Sequence, residues 1–197
     1  MNDMKKVTIY LVCMASAIMF MNSCNMNQPK EAFNDSIQGT FFGVPFGADK
    51  EDLVKKFAER DLILYPYLST EEFLVFYPAF GGQRYSFGGL NWKCLNVGLS
   101  NGKFYYIQFY NSLKDKAEAL EYGQSLLKTI SAKYKLSQEE PKDSTTYLLY
   151  RGKSKKESER EVTVYVSRYE AVDETVYYGS FLLYIDKKYE ASVSDEL

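Results

Sequence analysis

Trp92-Lys93-Cys94-Leu95-Asn96-Val97-Gly98-Leu99-Ser100-Asn101-Gly102-Lys103-Phe104-Tyr105-Tyr106-Ile107-Gln108-Phe109-Tyr110 decides the fold. Asn101-Gly102 sits between two runs rich in aromatic and branched residues. This dipeptide tolerates the two positive φ angles that a two-residue hairpin turn requires. The stretch therefore reads as two antiparallel strands, Trp92 to Leu99 and Lys103 to Tyr110. Strand side chains alternate, so Tyr105, Ile107 and Phe109 oppose Tyr106, Gln108 and Tyr110.

Further strands are expected on either side of this hairpin. Upstream they are Gly39 to Phe46, Leu62 to Tyr67, Glu72 to Tyr77 and Arg84 to Gly88, the last bounded by Gly81-Gly82 and Gly88-Gly89. Downstream they are Thr145 to Tyr150, Glu161 to Tyr169 and Thr175 to Asp186, with the last two joined as a hairpin around Glu170 to Glu174.

Two helices interrupt the strands. Asp49 can cap the first, which carries Leu53, Val54, Phe57 and Ala58 on one face and ends near Arg60. Glu51–Lys55 and Asp52–Lys56 fall at the i,i+4 spacing of favourable pairs. The second is expected to start at Ser112 and to bury Leu113, Ala117, Leu120, Leu127, Ile130 and Tyr134. Gly123 in its middle costs about 1 kcal/mol relative to alanine. Short local turns imply antiparallel pairing, so the class is α+β: two helices on one face of a mainly antiparallel sheet. The order, helix then strands twice over, suggests two degenerate repeats.

The N-terminus reads differently. Lys5 and Lys6 precede an uncharged run from Val7 to Met21, and Asn22-Ser23-Cys24 follows. A positive start, an apolar run of about 15 residues and a small residue before the break make a secretory signal, too short to span a bilayer comfortably. With cysteine after the small residue, the stretch resembles a bacterial lipoprotein signal. The resemblance implies that Cys24 becomes the first residue of the mature chain and carries the lipid. The expected organisation is a signal at 1–23, a flexible tether at 24–38, one α+β domain at 39–190 and a tail at 191–197. The expected location is the cell envelope, anchored to the outer membrane through the lipid. The first acidic residue after the cysteine is Glu31, which favours the periplasmic leaflet. Phe46-Gly47-Ala48-Asp49 leading into a short helix, with a later strand–Asn-Gly–strand unit, also resembles the β-lactamase-inhibitor-like fold and the small lipoproteins of outer-membrane assembly. Those families work by binding proteins.

Composition removes several functions. The chain has no histidine, which excludes Ser-His-Asp and Cys-His catalysis and the commonest zinc ligand. Phosphate-cradling glycine motifs are missing, and Gly39, Gly43 and Gly47 lie among aromatics as in a strand and turn. No cofactor and no metal site are expected. Loss of Lys5, Lys6 and Asp3 with the signal takes the formal charge from −2 to −3, which offers no footprint for nucleic acid. Of the three cysteines, Cys13 leaves with the signal and Cys24 is lipidated. Cys94 remains as a buried thiol with no disulfide partner.

The 18 tyrosines and 13 phenylalanines are the surplus. Tyr106, Tyr110, Tyr165, Tyr169, Tyr178 and Tyr184 are assigned to strand faces that carry hydroxyls, and together they form the candidate binding face. Tyrosine offers rigid contact area with a polar tip, suited to an envelope protein or a glycan. Arg151, Lys153, Lys155, Lys156 and Arg160 form a charged loop between strands and a possible docking site for an anionic partner. Glu71, Glu72, Asp173 and Glu174 are the carboxylates available for a glycan-acting enzyme that needs no histidine. The expectation is a non-catalytic binding module tethered by lipid. The alternatives are that enzyme or an architectural subunit of an outer-membrane complex.

Overall fold

The computed structural model describes residues 32–79, 84–156, 159–171 and 174–190. The signal, Cys24 and the tail lie outside the described residues, as do Gly81-Gly82 and Asp173.

Thirteen strands and two α-helices alternate along the described chain. They are β1 (Phe33–Asn34), β2 (Thr40–Phe41), β3 (Val44–Pro45), α1 (Lys50–Ala58), β4 (Leu62–Leu64), β5 (Phe73–Pro78), β6 (Tyr85–Phe87), β7 (Leu90–Trp92), β8 (Cys94–Ser100), β9 (Lys103–Leu113), α2 (Lys116–Ser131), β10 (Ser137–Gln138), β11 (Thr146–Ser154), β12 (Arg160–Glu170) and β13 (Val176–Asp186). Short 3-10 turns follow β4 at Pro66–Leu68 and β13 at Lys187–Tyr189. One nine-stranded sheet runs β1-β11-β12-β13-β9-β8-β5-β4, with β10 also paired to β11. Every pairing in it is antiparallel except β1 on β11. The fold is α+β.

The β8–β9 hairpin turns at Asn101 (φ 49°) and Gly102 (φ 72°), the two positive angles that the dipeptide was read to supply. The two helix-plus-strands units meet at the centre of the sheet. β9 ends the first and β13 ends the second, and they pair with each other from Ile185↔Tyr106 to Tyr178↔Leu113.

Each helix lays its apolar stripe on the same face. In α1, Leu53 and Phe57 are buried, and Phe57 meets Phe76 of β5 edge-on at 5.0 Å. Ala58 is exposed instead of joining the stripe. Asp49 stands at the N-cap without a capping bond; its carboxylate pairs with Lys103 at 2.9 Å. On the wet side, Lys56 pairs with Glu59 at 3.0 Å.

Ser112 does not begin the second helix, because residues 111–113 continue β9 beside β13. Asp115 is the cap, accepting from the Glu118 N–H at 2.8 Å. The buried stripe of α2 is then Ala119, Gly123, Leu126 and Ile130. Gly123 is the point of closest approach: a Cβ there would lie 2.3 Å from Cγ2 of Val166. One turn away, the Ser180 hydroxyl of β13 donates to the Ala119 carbonyl at 2.7 Å. The helix tolerates glycine because it lets α2 sit directly on β12 and β13.

The space between the helices is closed by two small hairpins, β2–β3 and β6–β7. Gly39 to Phe46 reads as one strand but turns back at Phe42-Gly43, both with positive φ. That turn delivers Phe41 to within 5.0 Å of Tyr184 and 6.2 Å of Phe109. Phe87 of β6 stacks on Phe109 at 4.2 Å, and the Trp92 indole N–H donates to the Phe87 carbonyl at 3.1 Å. The core is therefore a continuous aromatic layer between the sheet and its cover.

Candidate functional site

The other face of the sheet is built by the alternate residues of the same strands. Register places Leu149, Tyr165, Phe181, Tyr110 and Cys94 opposite one another across β11, β12, β13, β9 and β8. Tyr77 on β5 continues the line and faces Ile63 on β4. The Cys94 thiol bridges the gap, within hydrogen-bond reach of both Tyr77 and Tyr110. Tyr165 stacks on Phe181 at 4.5 Å and 10°, and Tyr110 lies on the other side of Phe181 at 5.7 Å. Tyr65 meets Tyr77 at 5.6 Å and Tyr67 at 5.9 Å. An aromatic row thus crosses the strands from β12 to the β4 edge. Tyr169 flanks it, donating to Ser112 Oγ at 2.6 Å and stacking on Tyr177 at 5.8 Å.

Beside the row runs a polar seam. Asn96 Nδ2 donates to Gln108 Oε1 at 3.0 Å, and Gln108 Nε2 donates to the Tyr165 hydroxyl. Glu161, nearly buried, is held by Lys187 at 2.9 Å and Arg151 at 3.6 Å, and Arg151 also reaches Glu139 at 3.3 Å. Burial in this setting favours neutral hydroxyls. It pushes Tyr77 up to about 12, aided by the nearby Cys94, and Tyr165 up to about 12 despite the opposing Gln108 bond. Tyr106 and Tyr110 are driven higher by the same desolvation. Burial also raises the Cys94 thiol, outweighing its bonds to Tyr110 and Tyr77, so the group is held protonated and poorly nucleophilic.

At the β4 edge the row opens into a groove of about 500 Å³ lined by Ile63, Tyr65, Leu68, Tyr77, Pro78 and Ala79. Tyr67 stands beside it, 91% exposed, and Ile63 and Leu68 are each more than half exposed. Leu62 to Tyr67 reads as one strand, but Pro66 ends it and starts the 3-10 turn that projects these side chains.

The structure sorts the expected site residues into two groups. Tyr106, Tyr110, Tyr165 and Tyr169 do share the helix-free face. Tyr184 and Tyr178 do not. The pairing Val164↔Leu182 places the even-numbered residues of β13 with the valines of β12, under α2. Tyr184 is 2% exposed, packed on Phe41 and Tyr134. Tyr178 packs against the same core and near Tyr147. Phe181, Tyr77 and Gln108 belong to the open face and were not singled out from sequence; the register of the β12–β13 hairpin is the signal that could have found Phe181.

The charged loop is also redrawn. Arg151 and Lys153 lie in β11 and Arg160 begins β12, because the strands run on past the expected ends. Arg151 is engaged with Glu139 and Glu161, and Arg160 pairs with Asp186 at 2.7 Å on the opposite face. Lys155 and Lys156 remain exposed in the turn. The five cations are therefore not one patch. Glu71 and Glu72 precede β5, at the opposite end of the sheet from Glu174, which precedes β13; the structure does not bring these carboxylates together. Asp173 lies outside the described residues.

No family model, no curated protein and no solved structure matches this chain. Among the described residues, no helix is long and apolar enough to cross a membrane, and no group of three acidic or cysteine side chains could hold a metal ion.

Proposed function

We propose that this is a lipid-anchored envelope protein that works by binding another protein through the aromatic row and its edge groove. The observation that carries the reading is how the rings lie. Tyr165, Phe181 and Tyr110 stack on one another, so their faces are already occupied and the ring edges are what a partner can meet. Sugar rings are gripped by free aromatic faces, so this packing favours a polypeptide partner over a glycan. Amphipathic tyrosines at low entropic cost are what protein interfaces select. The apolar groove beside exposed Tyr67 supplies the anchor pocket that such interfaces need. The address rests on the sequence from Lys5 to Cys24.

A photo-crosslinking amino acid placed at Tyr67, or at exposed Gln124 on the far side of α2, tests the binding face in cells. A discrete protein adduct is expected from position 67 alone. Equal adducts from both positions, or none from position 67, would overturn it. Metabolic palmitate labelling that disappears with Cys24→Ala tests the anchor.

A further inference from the structure

A second surface lies at the other edge of the sheet, where the described chain begins. Asn34 in β1 is a clamp. Its Oδ1 accepts from the Lys135 N–H at 2.6 Å and its Nδ2 donates to the Lys135 carbonyl at 3.0 Å. Its own carbonyl accepts from the Lys155 N–H at 2.7 Å. The clamp fixes the start of the domain against both the end of α2 and the end of β11. Between them is a polar cleft of about 400 Å³ lined by Lys133, Lys135 and Lys155, with Phe33 at its rim, 39% exposed; the Lys133 ammonium also donates to Gln38 Oε1 at 3.1 Å. Asp35 is the acidic residue among its lining side chains.

The helix dipole accounts for Lys133 and Lys135 at the C-terminal end of α2. It does not account for Lys155, which sits in the turn just after β11, or for an exposed phenylalanine beside three cations. The position does. Residue 32 is eight residues from Cys24. Eight residues reach at most about 28 Å and, if flexible, average about 15 Å. Charge attraction to a surface acts over about 8–10 Å at physiological salt. A flexible tether of that length would keep the start of the domain, and the cleft beside it, on average about two screening lengths from the bilayer and at most about three.

We infer that this cleft docks onto anionic phospholipid headgroups and seats the domain on the membrane that anchors it. The inference rests on the lipid anchor proposed at Cys24. Phe33 enters the interfacial layer, and the three ammonium groups meet the phosphates. The β4 groove, at the opposite edge of the sheet, is thereby turned away from the bilayer.

All described structure lies within Glu31–Leu197, a compact unit by itself. The chain from residue 24 onward, with Cys24→Ser to remove the lipid, is mixed with vesicles of phosphatidylcholine alone or with about a third phosphatidylglycerol, and bound protein is measured by flotation. Binding to the anionic vesicles only, weakening as salt is raised, is expected. Each lysine contributes about fivefold, so Lys133→Gln/Lys135→Gln/Lys155→Gln should weaken it about a hundredfold. The same three positions changed to arginine should bind as the parent does. Neutralising Lys55, Lys93 and Lys114 elsewhere should change it far less. Equal binding to both vesicles, indifference to the triple change, or equal loss in the control would overturn the inference. Palmitate labelling of the full chain separates the two ideas. A labelled protein whose domain ignores anionic vesicles sinks the docking surface alone, and an unlabelled one sinks the anchor.

Discussion

The two faces of the sheet use aromatic residues in opposite ways. Under the helices and small hairpins the rings are mostly phenylalanine: Phe41, Phe57, Phe76, Phe104 and Phe109 are all fully buried. On the helix-free face they are mostly tyrosine: Tyr77, Tyr106, Tyr110, Tyr165 and Tyr169 are each partly exposed. A phenyl ring needs only to be removed from water, whereas a phenol needs a partner or solvent for its hydroxyl. The exceptions obey the same rule. Tyr184 is buried beside Tyr134, which shares a hydrogen bond with it. Phe181 is sandwiched between Tyr165 and Tyr110, which cover both faces of its ring. Aromatic content alone therefore does not tell the two faces apart; hydroxyls at half-buried strand positions do.

Truncating matched rings on the two faces gives the sharpest contrast. Phe109→Ala should cost about 3–5 kcal/mol in chemical denaturation, since the ring is fully buried against Phe41, Phe87 and Trp92. Phe181→Ala, half-buried, should cost less than half as much. Equal costs would mean that the second face is as much a core as the first. Next in size is Gly123→Val, expected to lose about 2–3 kcal/mol by pushing α2 off β12, with much of it recovered by Val166→Ala. No recovery in the double variant would mean that the helix is not seated through that contact.

The pH response separates the faces in another way. Tyr165 and Tyr77 ionise at about 12 in the folded chain against 10.0 for the free side chain. A raised folded value means stability that is fully present below about pH 10 and lost as pH climbs toward 12. Tyr165 alone accounts for at most about 3 kcal/mol of that loss. With no histidine, unfolding midpoints should be flat from about pH 6 to 9 and fall above 10, in step with tyrosinate absorbance. A step near neutrality would contradict this. The smallest effect belongs to Tyr165→Phe, which leaves a Gln108 donor without its acceptor and should cost about 1 kcal/mol.

Sequence carried the antiparallel framework well because its signals are local. Asn101-Gly102 names its own turn, and the valines at 162, 164 and 166 declare the buried side of β12. It carried the open face only halfway. Alternation tells which residues of a strand share a side, not which side the helices cover. β13 has aromatics on both, Phe181 on one and Tyr184 on the other, so its polarity does not choose. Only cross-strand register does, through Val164↔Leu182. Arg84 to Gly88 reads as a strand, but the pairing of the small hairpins does not show, because strands of two or three residues leave almost no periodicity to read. The stripe of α2 was displaced because β9 runs three residues longer than its hydrophobic pattern suggests.

The order of the strands also governs when this molecule can become itself. The last long strand to leave the ribosome, Val176–Asp186, is inserted between β12 and β9, and without it the sheet is two separate pieces. Nothing assembled earlier can close around the gap, so completion waits for β13 and for contacts between strands far apart in sequence, a topology that folds slowly.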